Sequence, residues 1–433
     1  MEGLDRLDRL LEALRPDRLM ADLQAFRIHG AIDGGGVDRG ALGPADVAAR
    51  RALEAAMKDA GLTVETDAIG NQWGRKGGEG PAVVCGSHMD SVPRGGYLDG
   101  PLGVLAAVEI ARAMRDAGLE PSVPYEVVNF TGEEGSRFPR GTLGSWVAAG
   151  SMPLEEALAL VDAEGVSVEQ ALKATYRRAL VPIRAPAERF RAYLELHIEQ
   201  GGLLESKGVG IGVVRAIAGL VQLDVEVQGV ANHAGTTPMD ARSDALAGAA
   251  EMIVRIEQRG RLADGRAVAT VGRLETLPGA WNIVPGLARF GVDMRSADPG
   301  LLETIEADIL RAVAFVSQIR GLGHSVVRRQ RVEPGVLDPS LVSRAAAACE
   351  RIGEAHLEMT SGAVHDALKI SPVAPAAMLF VPSVGGKSHT PEEETRPEDV
   401  ARGLRALAAL VWDLCSSAPQ PAEPPQEPPQ PPL

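Results

Sequence analysis

Two short strand-like segments on either side of a helical pattern constrain the fold of this chain more than any other feature. Residues 81–86 (PAVVCG) form a short apolar run that is typical of a strand covered on both faces, and residues 124–131 (PYEVVNFT) predict another strand. Residues 101–118 begin with proline and end with glycine, which are typical limits of a helix. This strand–helix–strand order predicts the α/β class, with a mixed, mostly parallel sheet flanked by helices.

A different pattern begins near residue 212. In residues 220–228 (LVQLDVEVQ) apolar and polar side chains alternate, which indicates an antiparallel strand with one exposed face. The elements that we predict after it are a helix at 241–258, strands near 267–274 and 287–295, and a helix at 299–318. This β-α-β-β-α order predicts a small α+β insert of the ferredoxin-like type.

The patterns divide the chain into a main domain, an insert and a tail. We expect the main domain to comprise residues 1–211 and 332–417, and the insert residues 212–331. Residues 418–433 are rich in proline and offer too few hydrophobic side chains to form a core, which predicts a disordered or polyproline II segment. Such a tail needs no partner, although an SH3-type ligand remains an alternative.

Composition excludes several classes of partner. The 433 residues carry a net charge of −14, whereas nucleic acids and anionic membranes attract clustered cations. The N-terminal residues lack the apolar region of a secretion signal, and the longest apolar runs are too short to cross a bilayer. Three widely separated cysteines imply no disulfide framework. These features predict a soluble protein of the cytoplasm.

Residue types that bind divalent metals occur at the ends of four predicted strands. They are His88, Asp90 and Asp99 after the first strand, Glu133 and Glu134 after the second, His197 within YLELHIEQG on the polar face of the third, and His389 after the fourth at 376–381. Each segment alone is compatible with ordinary loop capping or an exposed turn. Because the active site of an open α/β sheet lies beyond the carboxyl ends of its strands, the four together predict a metal site.

Seven motifs occur in a fixed order: GSHMDSVPRGGYLDG, EEGSRF, ELHIEQG, ANHAGTTPMDAR, WNIVPG, SGAVHDA and KSHTPEE. Through them, residues 5–415 resemble the amidohydrolase branch of the M20 metallopeptidase-like superfamily. This branch includes N-carbamoyl-L-amino-acid hydrolases, allantoate and ureidoglycolate amidohydrolases, and β-ureidopropionases. ELHIEQG is the discriminating motif, because peptidase relatives usually offer an acidic ligand where this chain has His197.

The resemblance implies a hydrolase with two divalent ions, which could be zinc, manganese, cobalt or nickel. His88, Asp99 and His197 would bind one ion, and Asp99, Glu134 and His389 would bind the other. Asp90 would orient His88, and Glu133 would act as general base on a water molecule between the ions.

The resemblance also implies a set of substrate-binding residues: Gln200, His233, Asn282, Arg295 and His365. Arg295 would bind the substrate carboxylate, and His233 or His365 would stabilise the oxyanion. The insert would act as a lid and would mediate a homodimer. The chain departs from the family pattern at Val364 and at Tyr97-Leu98, which affects the shape of the pocket rather than the metal ligands.

The expected reaction is hydrolysis of the N-carbamoyl group of an L-amino acid, or of a related ureido acid, to an amine, carbon dioxide and ammonia. Allantoate, ureidoglycolate and 3-ureidopropionate are alternative substrates within the same branch. An M20 aminoacylase or dipeptidase is a more distant alternative, which His197 argues against. A non-catalytic binding protein is the alternative from another class, and Glu133 together with a full set of ligand-type residues argues against it.

Overall fold

The computed structural model describes the backbone of residues 2–416 and the side chains of residues 6–416, so the predicted tail lies outside the described residues. The strands are β1 (Thr63–Thr66), β2 (Gln72–Lys76), β3 (Ala82–His88), β4 (Tyr125–Phe130), β5 (Phe190–Ile198), β6 (Ile211–Ile217), β7 (Gly219–Gln228), β8 (Asn232–His233), β9 (Ala267–Leu277), β10 (Ile283–Val284), β11 (Leu287–Ser296), β12 (Gly323–Val332), β13 (Gly335–Val336), β14 (His356–Ser361) and β15 (Ala376–Val381).

The helices are α1 (Glu2–Ala13), α2 (Pro16–Arg27), α3 (Pro44–Asp59), α4 (Pro101–Asp116), α5 (Leu143–Ala148), α6 (Leu154–Ala159), α7 (Val168–Thr175), α8 (Pro186–Arg189), α9 (Leu203–Lys207), α10 (Ala245–Arg261), α11 (Pro299–Arg320), α12 (Pro339–Arg351), α13 (Asp366–Ile370) and α14 (Pro397–Ser416). Short 3-10 turns lie at Met239–Ala241 and Val384–Gly386. Among residues 2–416, no helix is both long and apolar enough to span a membrane.

A mixed sheet of nine strands, which we call the large sheet, forms the centre of the larger part of the molecule. Its strands lie in the order β1-β2-β4-β3-β5-β15-β6-β13, and β14 pairs with β6. The central strands β4, β3, β5 and β15 are parallel, so their carboxyl ends lie along one edge. Helices α4, α12 and α14 pack against this sheet. The predicted α/β class is therefore confirmed.

A second, antiparallel sheet has the strand order β12-β7-β11-β9, with α10 and α11 packed against it. This is the ferredoxin-like arrangement that the sequence pattern predicts, and β12 is the fourth strand that completes it. The pattern missed β12 because its register with β7 shifts between Arg328 and Gln330, which interrupts the alternation of side chains. Strand β6 pairs within the large sheet, so the second sheet begins at Gly219.

Strand β5 differs from its sequence pattern in one respect. The alternation of Glu195 and His197 with apolar residues predicts a polar face, yet both side chains are buried. Helices α4, α13 and α14 all pack against this strand, so neither of its faces is open to solvent. Glu195 instead accepts hydrogen bonds from Ser87 Oγ (2.7 Å) and Tyr193 Oη (3.1 Å) inside the protein.

A buried ion pair joins α3 to the segment that follows β4. Asp46 and Arg50 are both buried, and Arg50 Nε donates to Asp46 Oδ2 at 2.6 Å. The Arg50 guanidinium also donates to the carbonyl of Gly70 (2.6 Å) and to Thr131 Oγ1 (3.2 Å). Thr131 lies two residues before Glu133, so this pair fixes the start of the acidic turn.

We expect Asp46→Ala to lower the free energy of unfolding by ~3–5 kcal/mol, because it leaves the Arg50 guanidinium buried without its carboxylate. Urea unfolding followed by circular dichroism measures the change. The matched control is Glu169→Ala, which removes an exposed carboxylate paired with Lys173 at 2.7 Å and should cost less than ~1 kcal/mol. Equal unfolding midpoints for the two variants would contradict the assigned role of the pair.

Candidate metal centre

Side chains with ligand atoms converge at the edge where the central parallel strands end. His88 is the last residue of β3, and His197 is the next-to-last residue of β5. Glu133 and Glu134 follow β4 after a short turn, and His389 lies in the loop after β15. The parallel order of these strands therefore places residues that are distant in sequence around one point.

Asp99 lies at the centre of this cluster. Its Oδ1 is 3.1 Å from His197 Nε2 and 3.8 Å from His88 Nε2. Its Oδ2 is 3.3 Å from His389 Nε2, which is in turn 3.5 Å from Glu134 Oε2. Asp99 takes part in two groups of three donors, His88–Asp99–His197 and Asp99–Glu134–His389, with the atoms of each group within 4.8 Å of one another; a third such group, Glu195–His197–His365, does not include Asp99.

Two donor atoms in these groups are buried and make no hydrogen bond to any described residue. They are His197 Nε2 and Glu134 Oε1. The other imidazole nitrogens are used locally, since Nδ1 of His88 lies 3.0 Å from the carbonyl of Asp90 and Nδ1 of His197 lies 2.9 Å from the carbonyl of Ile198. These contacts direct both Nε2 atoms toward Asp99. Buried polar atoms without a partner are costly, and a bound cation would satisfy them.

The site concentrates negative charge. Burial, reinforced by neighbouring carboxylates, raises the pKa of Glu133 and that of Glu134 well above the usual range. Burial lowers the pKa of His88 to about 4, so its imidazole is neutral near pH 7. Burial opposes ionisation of Asp99 as well, but His197 and His389 keep its pKa well below the usual range. Burial opposes protonation of His197, but Asp99 raises its pKa to about 9, so this imidazole carries a proton that a divalent cation would replace. The same cation would stabilise the crowded carboxylates.

Asp90 contacts the cluster in a way that the sequence did not predict. The carbonyl of Asp90, rather than its carboxylate, makes the closer contact with His88, since Oδ1 is 3.7 Å from Nδ1. The carboxylate accepts hydrogen bonds from the backbone N–H groups of Glu133 (3.2 Å) and Glu134 (3.3 Å). Asp90 therefore fixes the backbone of the acidic turn.

We expect Asp90→Asn to lower kcat by about 10- to 100-fold, because an amide NH2 group would replace one acceptor of a backbone N–H. Initial-rate kinetics measure the loss. Asp162→Asn is the matched control, since Asp162 Oδ1 also accepts backbone N–H groups, from Glu164 (3.0 Å) and Val166 (2.9 Å), in a turn outside the cluster. Full activity of Asp90→Asn would show that the carboxylate does not position the turn.

Glu393 is a supporting residue that sequence reasoning missed. Its buried carboxylate accepts hydrogen bonds from the backbone N–H groups of Leu98 (2.9 Å) and Asp99 (3.0 Å), and from Ser388 Oγ (2.9 Å). It therefore holds the Asp99 loop against the loop that carries His389. The only signal in the sequence was the acidic run at 392–394, which begins in the last motif. Its role depends on contacts across almost 300 residues.

Gly100 lets the Asp99 loop approach His88. It has φ +84°, and a Cβ atom placed there would lie 2.4 Å from His88 Cε1. No larger residue fits between this loop and the imidazole.

A cavity of about 540 Å³ opens onto the cluster and is also lined by residues of the second sheet. Three predicted substrate-binding residues line it: Gln200, Arg295 and His365. Gln200 Nε2 donates to Asp99 Oδ2 at 2.6 Å, and His365 Nε2 lies 3.0 Å from Ser361 Oγ. Arg295 donates to Asp293 Oδ1 (2.8 Å) and to the carbonyl of Gly362 (3.1 Å). We call this space the central cavity.

The other two predicted substrate-binding residues lie elsewhere. His233 and Asn282 are exposed, and neither lines the central cavity. They are near each other, because the backbone N–H of Ala234 donates to the carbonyl of Asn282 at 2.9 Å. The structure therefore places this pair at the short two-stranded sheet of β8 and β10 and separates it from the donor cluster.

Further side chains of the central cavity were not predicted: Arg140, Trp146, Arg331 and Lys369. Arg331 is paired with Glu306 at 3.1 Å. Lys369 Nζ lies 4.4 Å from the centre of the Trp146 ring, and Arg140 Cζ lies 4.8 Å from it. Lys369 is the second residue after the SGAVHDA motif, but nothing in the sequence connected it to Trp146.

Comparisons with known proteins agree with this arrangement. The sequence profile of the peptidase family M20/M25/M40 matches residues 84–413. An N-carbamoyl-L-amino acid amidohydrolase of Geobacillus stearothermophilus is 39% identical, over 93% of this chain and 99% of its own length. A ureidoglycolate hydrolase of Arabidopsis thaliana is 38% identical, over 84% of this chain and 79% of its own.

Among solved structures, an amidase of the hydantoinase/carbamoylase family from Burkholderia multivorans superposes with a TM-score of 0.89 at 36% identity. The superposition covers 93% of this chain and 98% of the amidase, so it includes both sheets. The predicted resemblance is thus confirmed, and the chain belongs to the peptidase family M20/M25/M40, in its hydantoinase/carbamoylase amidase branch.

Proposed function

We propose that this protein removes the N-carbamoyl group from an L-amino acid or a related ureido acid, and so releases an amine, carbon dioxide and ammonia. It is a hydrolase of carbon–nitrogen bonds other than peptide bonds, as its named relatives are. The observation that carries the proposal is the imidazole of His197 beside Asp99, at 3.1 Å. Peptidase relatives usually present an acidic side chain at that position.

The donor cluster fits two divalent ions. His88, Asp99 and His197 would hold one ion, and Asp99, Glu134 and His389 the other, which is the assignment implied by the resemblance. The unpartnered atoms of His197 and Glu134 and the crowded carboxylates support it. Such ions polarise a carbonyl group and lower the pKa of water, and zinc, manganese, cobalt or nickel could each supply this chemistry.

Glu133 is the proposed general base. It lines the central cavity, and its Oε2 lies 3.7 Å from His88 Nε2. It belongs to none of the three-donor groups, so its carboxylate is available to accept a proton from water. Addition of that water to the ureido carbon gives a tetrahedral intermediate. Glu133 then transfers the proton to the departing amine nitrogen, and the carbamate released decomposes to ammonia and carbon dioxide.

The second sheet with α10 and α11 is the proposed lid. Arg295 would exchange its contacts with Asp293 and Gly362 for the substrate carboxylate, which a planar guanidinium binds through two hydrogen bonds. Gln200 and His365 would contact the ureido group, and closure would bring His233 and Asn282 to the cavity.

The same lid domain is the proposed homodimer interface. Exposed apolar side chains on α11, namely Leu310, Phe315 and Ile319, support it. We further expect a cytoplasmic location, since Cys85, Cys349 and Cys415 are all buried and unpaired.

Ammonia release by manganese-loaded protein tests the proposal. The panel contains N-carbamoyl-L-amino acids, 3-ureidopropionate, allantoate and ureidoglycolate. It also contains an N-acetyl amino acid and a dipeptide, whose hydrolysis is measured by the release of free amine. Turnover of one ureido acid would support the proposal and identify the substrate. Turnover of only the acetyl compound or the dipeptide would identify an M20 aminoacylase or dipeptidase instead. No turnover at all would favour a non-catalytic binding protein.

A further inference from the structure

Two cations of the central cavity contact one aromatic ring. Lys369 Nζ lies 4.4 Å from the centre of the Trp146 ring, and Arg140 Cζ lies 4.8 Å from it. All three side chains are half-buried and line the same cavity as Glu133. We call these three residues the cationic wall. It comes from α5, α13 and the loop before α5, whereas Arg295 comes from the second sheet.

Among the described residues, the cationic wall has no close carboxylate partner inside the cavity, although Glu133 and Asp366 act on Lys369 from a longer distance. Within residues 6–416, no carboxylate lies within 4.0 Å of Lys369 Nζ, and the one nearest to Arg140 is the exposed Glu156 at 3.9 Å. Arg140 Nε is buried and has no hydrogen-bond partner among these residues. The other two arginines of the cavity differ, since Arg295 is paired with Asp293 (2.8 Å) and Arg331 with Glu306 (3.1 Å).

A half-buried cation without a partner is costly, and an anion entering the cavity would remove that cost. The proposed function assigns the α-carboxylate of the substrate to Arg295 and the ureido carbon to the vicinity of Glu133. The group that remains to be placed is the side chain of the ureido acid. The face of Trp146 suits the methylene groups of such a side chain. The ammonium group of Lys369 and the guanidinium group of Arg140 suit a terminal carboxylate.

We propose that Lys369 and Arg140 bind a side-chain carboxylate, so that the enzyme prefers ureido acids with an acidic side chain. This inference rests on the proposed function and names its substrate class: N-carbamoyl derivatives of acidic L-amino acids. The two carboxylates of such a substrate would be bound by separate cations, one by Arg295 of the second sheet and the other by Lys369 of α13 with Arg140 of the loop before α5.

The test compares N-carbamoyl-L-glutamate with N-carbamoyl-L-glutamine, which has nearly the same shape and lacks the charge. We expect the wild-type enzyme to prefer the glutamate derivative by about 10- to 100-fold in kcat/KM, the range that hydrogen bonds to a charged group provide. Lys369→Met should remove most of this preference, because it should lower kcat/KM for the glutamate derivative far more than for the glutamine derivative. Lys369→Arg should retain the preference, and Arg140→Gln should reduce it.

Lys58→Met is the matched control, because Lys58 lies on the surface in an ion pair with Glu54 at 2.7 Å. It should leave both rates unchanged. An equal loss for both substrates in Lys369→Met would mean that Lys369 acts on Glu133 or on the α-carboxylate, and would overturn the proposal. An absence of preference in the wild-type enzyme would overturn it too, even if another ureido acid of the panel were hydrolysed.

A binding measurement separates this inference from the proposed function. Calorimetric titration of Glu133→Gln with both derivatives should show tighter binding of N-carbamoyl-L-glutamate, and the double variant with Lys369→Met should lose the difference. This result would support the carboxylate subsite even if the whole panel remained unhydrolysed, in which case only the proposed reaction would fail. Equal affinity for the two derivatives would overturn the subsite.

Discussion

Glu133→Gln is expected to lower kcat by about 10³- to 10⁴-fold, at the upper end of what a positioned general base contributes. Glutamine has the shape of glutamate, but its amide cannot accept a proton from water near pH 7. Since Glu133 belongs to none of the three-donor groups, the variant should retain its metal ions. Steady-state kinetics together with metal analysis of the dialysed protein measure both quantities.

Glu133→Asp is the informative companion variant, because it keeps the carboxylate but withdraws it by one methylene group. It should retain more activity than Glu133→Gln. The fold should tolerate the glutamine variant, because a neutral amide relieves the repulsion that buried Glu133 experiences from Asp366 and Glu134. Wild-type kcat in a folded, metal-loaded Glu133→Gln would refute the proposed mechanism.

The sequence predicted those parts of the fold that follow from local periodicity. The buried runs around Val84 and Val127 became β3 and β4, and the helix between them begins at Pro101 as its proline indicated. Ligand-type residues were recognisable because each lies at the end of a strand or in the segment after it, and parallel strands end at one edge. His88, Glu134 and His389 thus lie around Asp99 because the strands that carry or precede them are parallel, and the sequence alone shows where each of these strands ends.

What the sequence missed depends on contacts between distant segments. The polarity of Glu195 and His197 suggested a polar face, but burial of that face depends on helices that come from other parts of the chain. Glu393 lies in an acidic run that resembles any exposed loop, and its partners Leu98 and Asp99 are almost 300 residues away. The cationic wall could not be predicted for the same reason, because neither the periodicity nor the spacing of the sequence relates Lys369 to Trp146.

Asp99→Asn is expected to abolish the binding of both ions, whereas Glu134→Gln should abolish the binding of only one. Asp99 contributes one oxygen to each of its two three-donor groups, since Oδ1 faces His197 (3.1 Å) and Oδ2 faces His389 (3.3 Å). Asparagine offers one oxygen and one NH2 group, so in at least one of these two three-donor groups an NH2 group replaces the oxygen that would bind the ion. The loss of the carboxylate charge also weakens the other group.

Metal analysis of protein dialysed against limiting manganese measures this difference directly, and the rise in melting temperature on addition of manganese provides a second readout. Asp162→Asn is again the control, because it makes the same chemical change outside the cluster and should bind metal as the wild-type protein does.

The hydrogen bonds that Asp99 Oδ2 accepts from Gln200 (2.6 Å) and Ser388 (2.8 Å) can be accepted equally by the asparagine oxygen. A collapse of the loop therefore does not explain the expected loss of metal. A full metal complement in Asp99→Asn, or an equal loss in both variants, would refute the view that one carboxylate serves two ions.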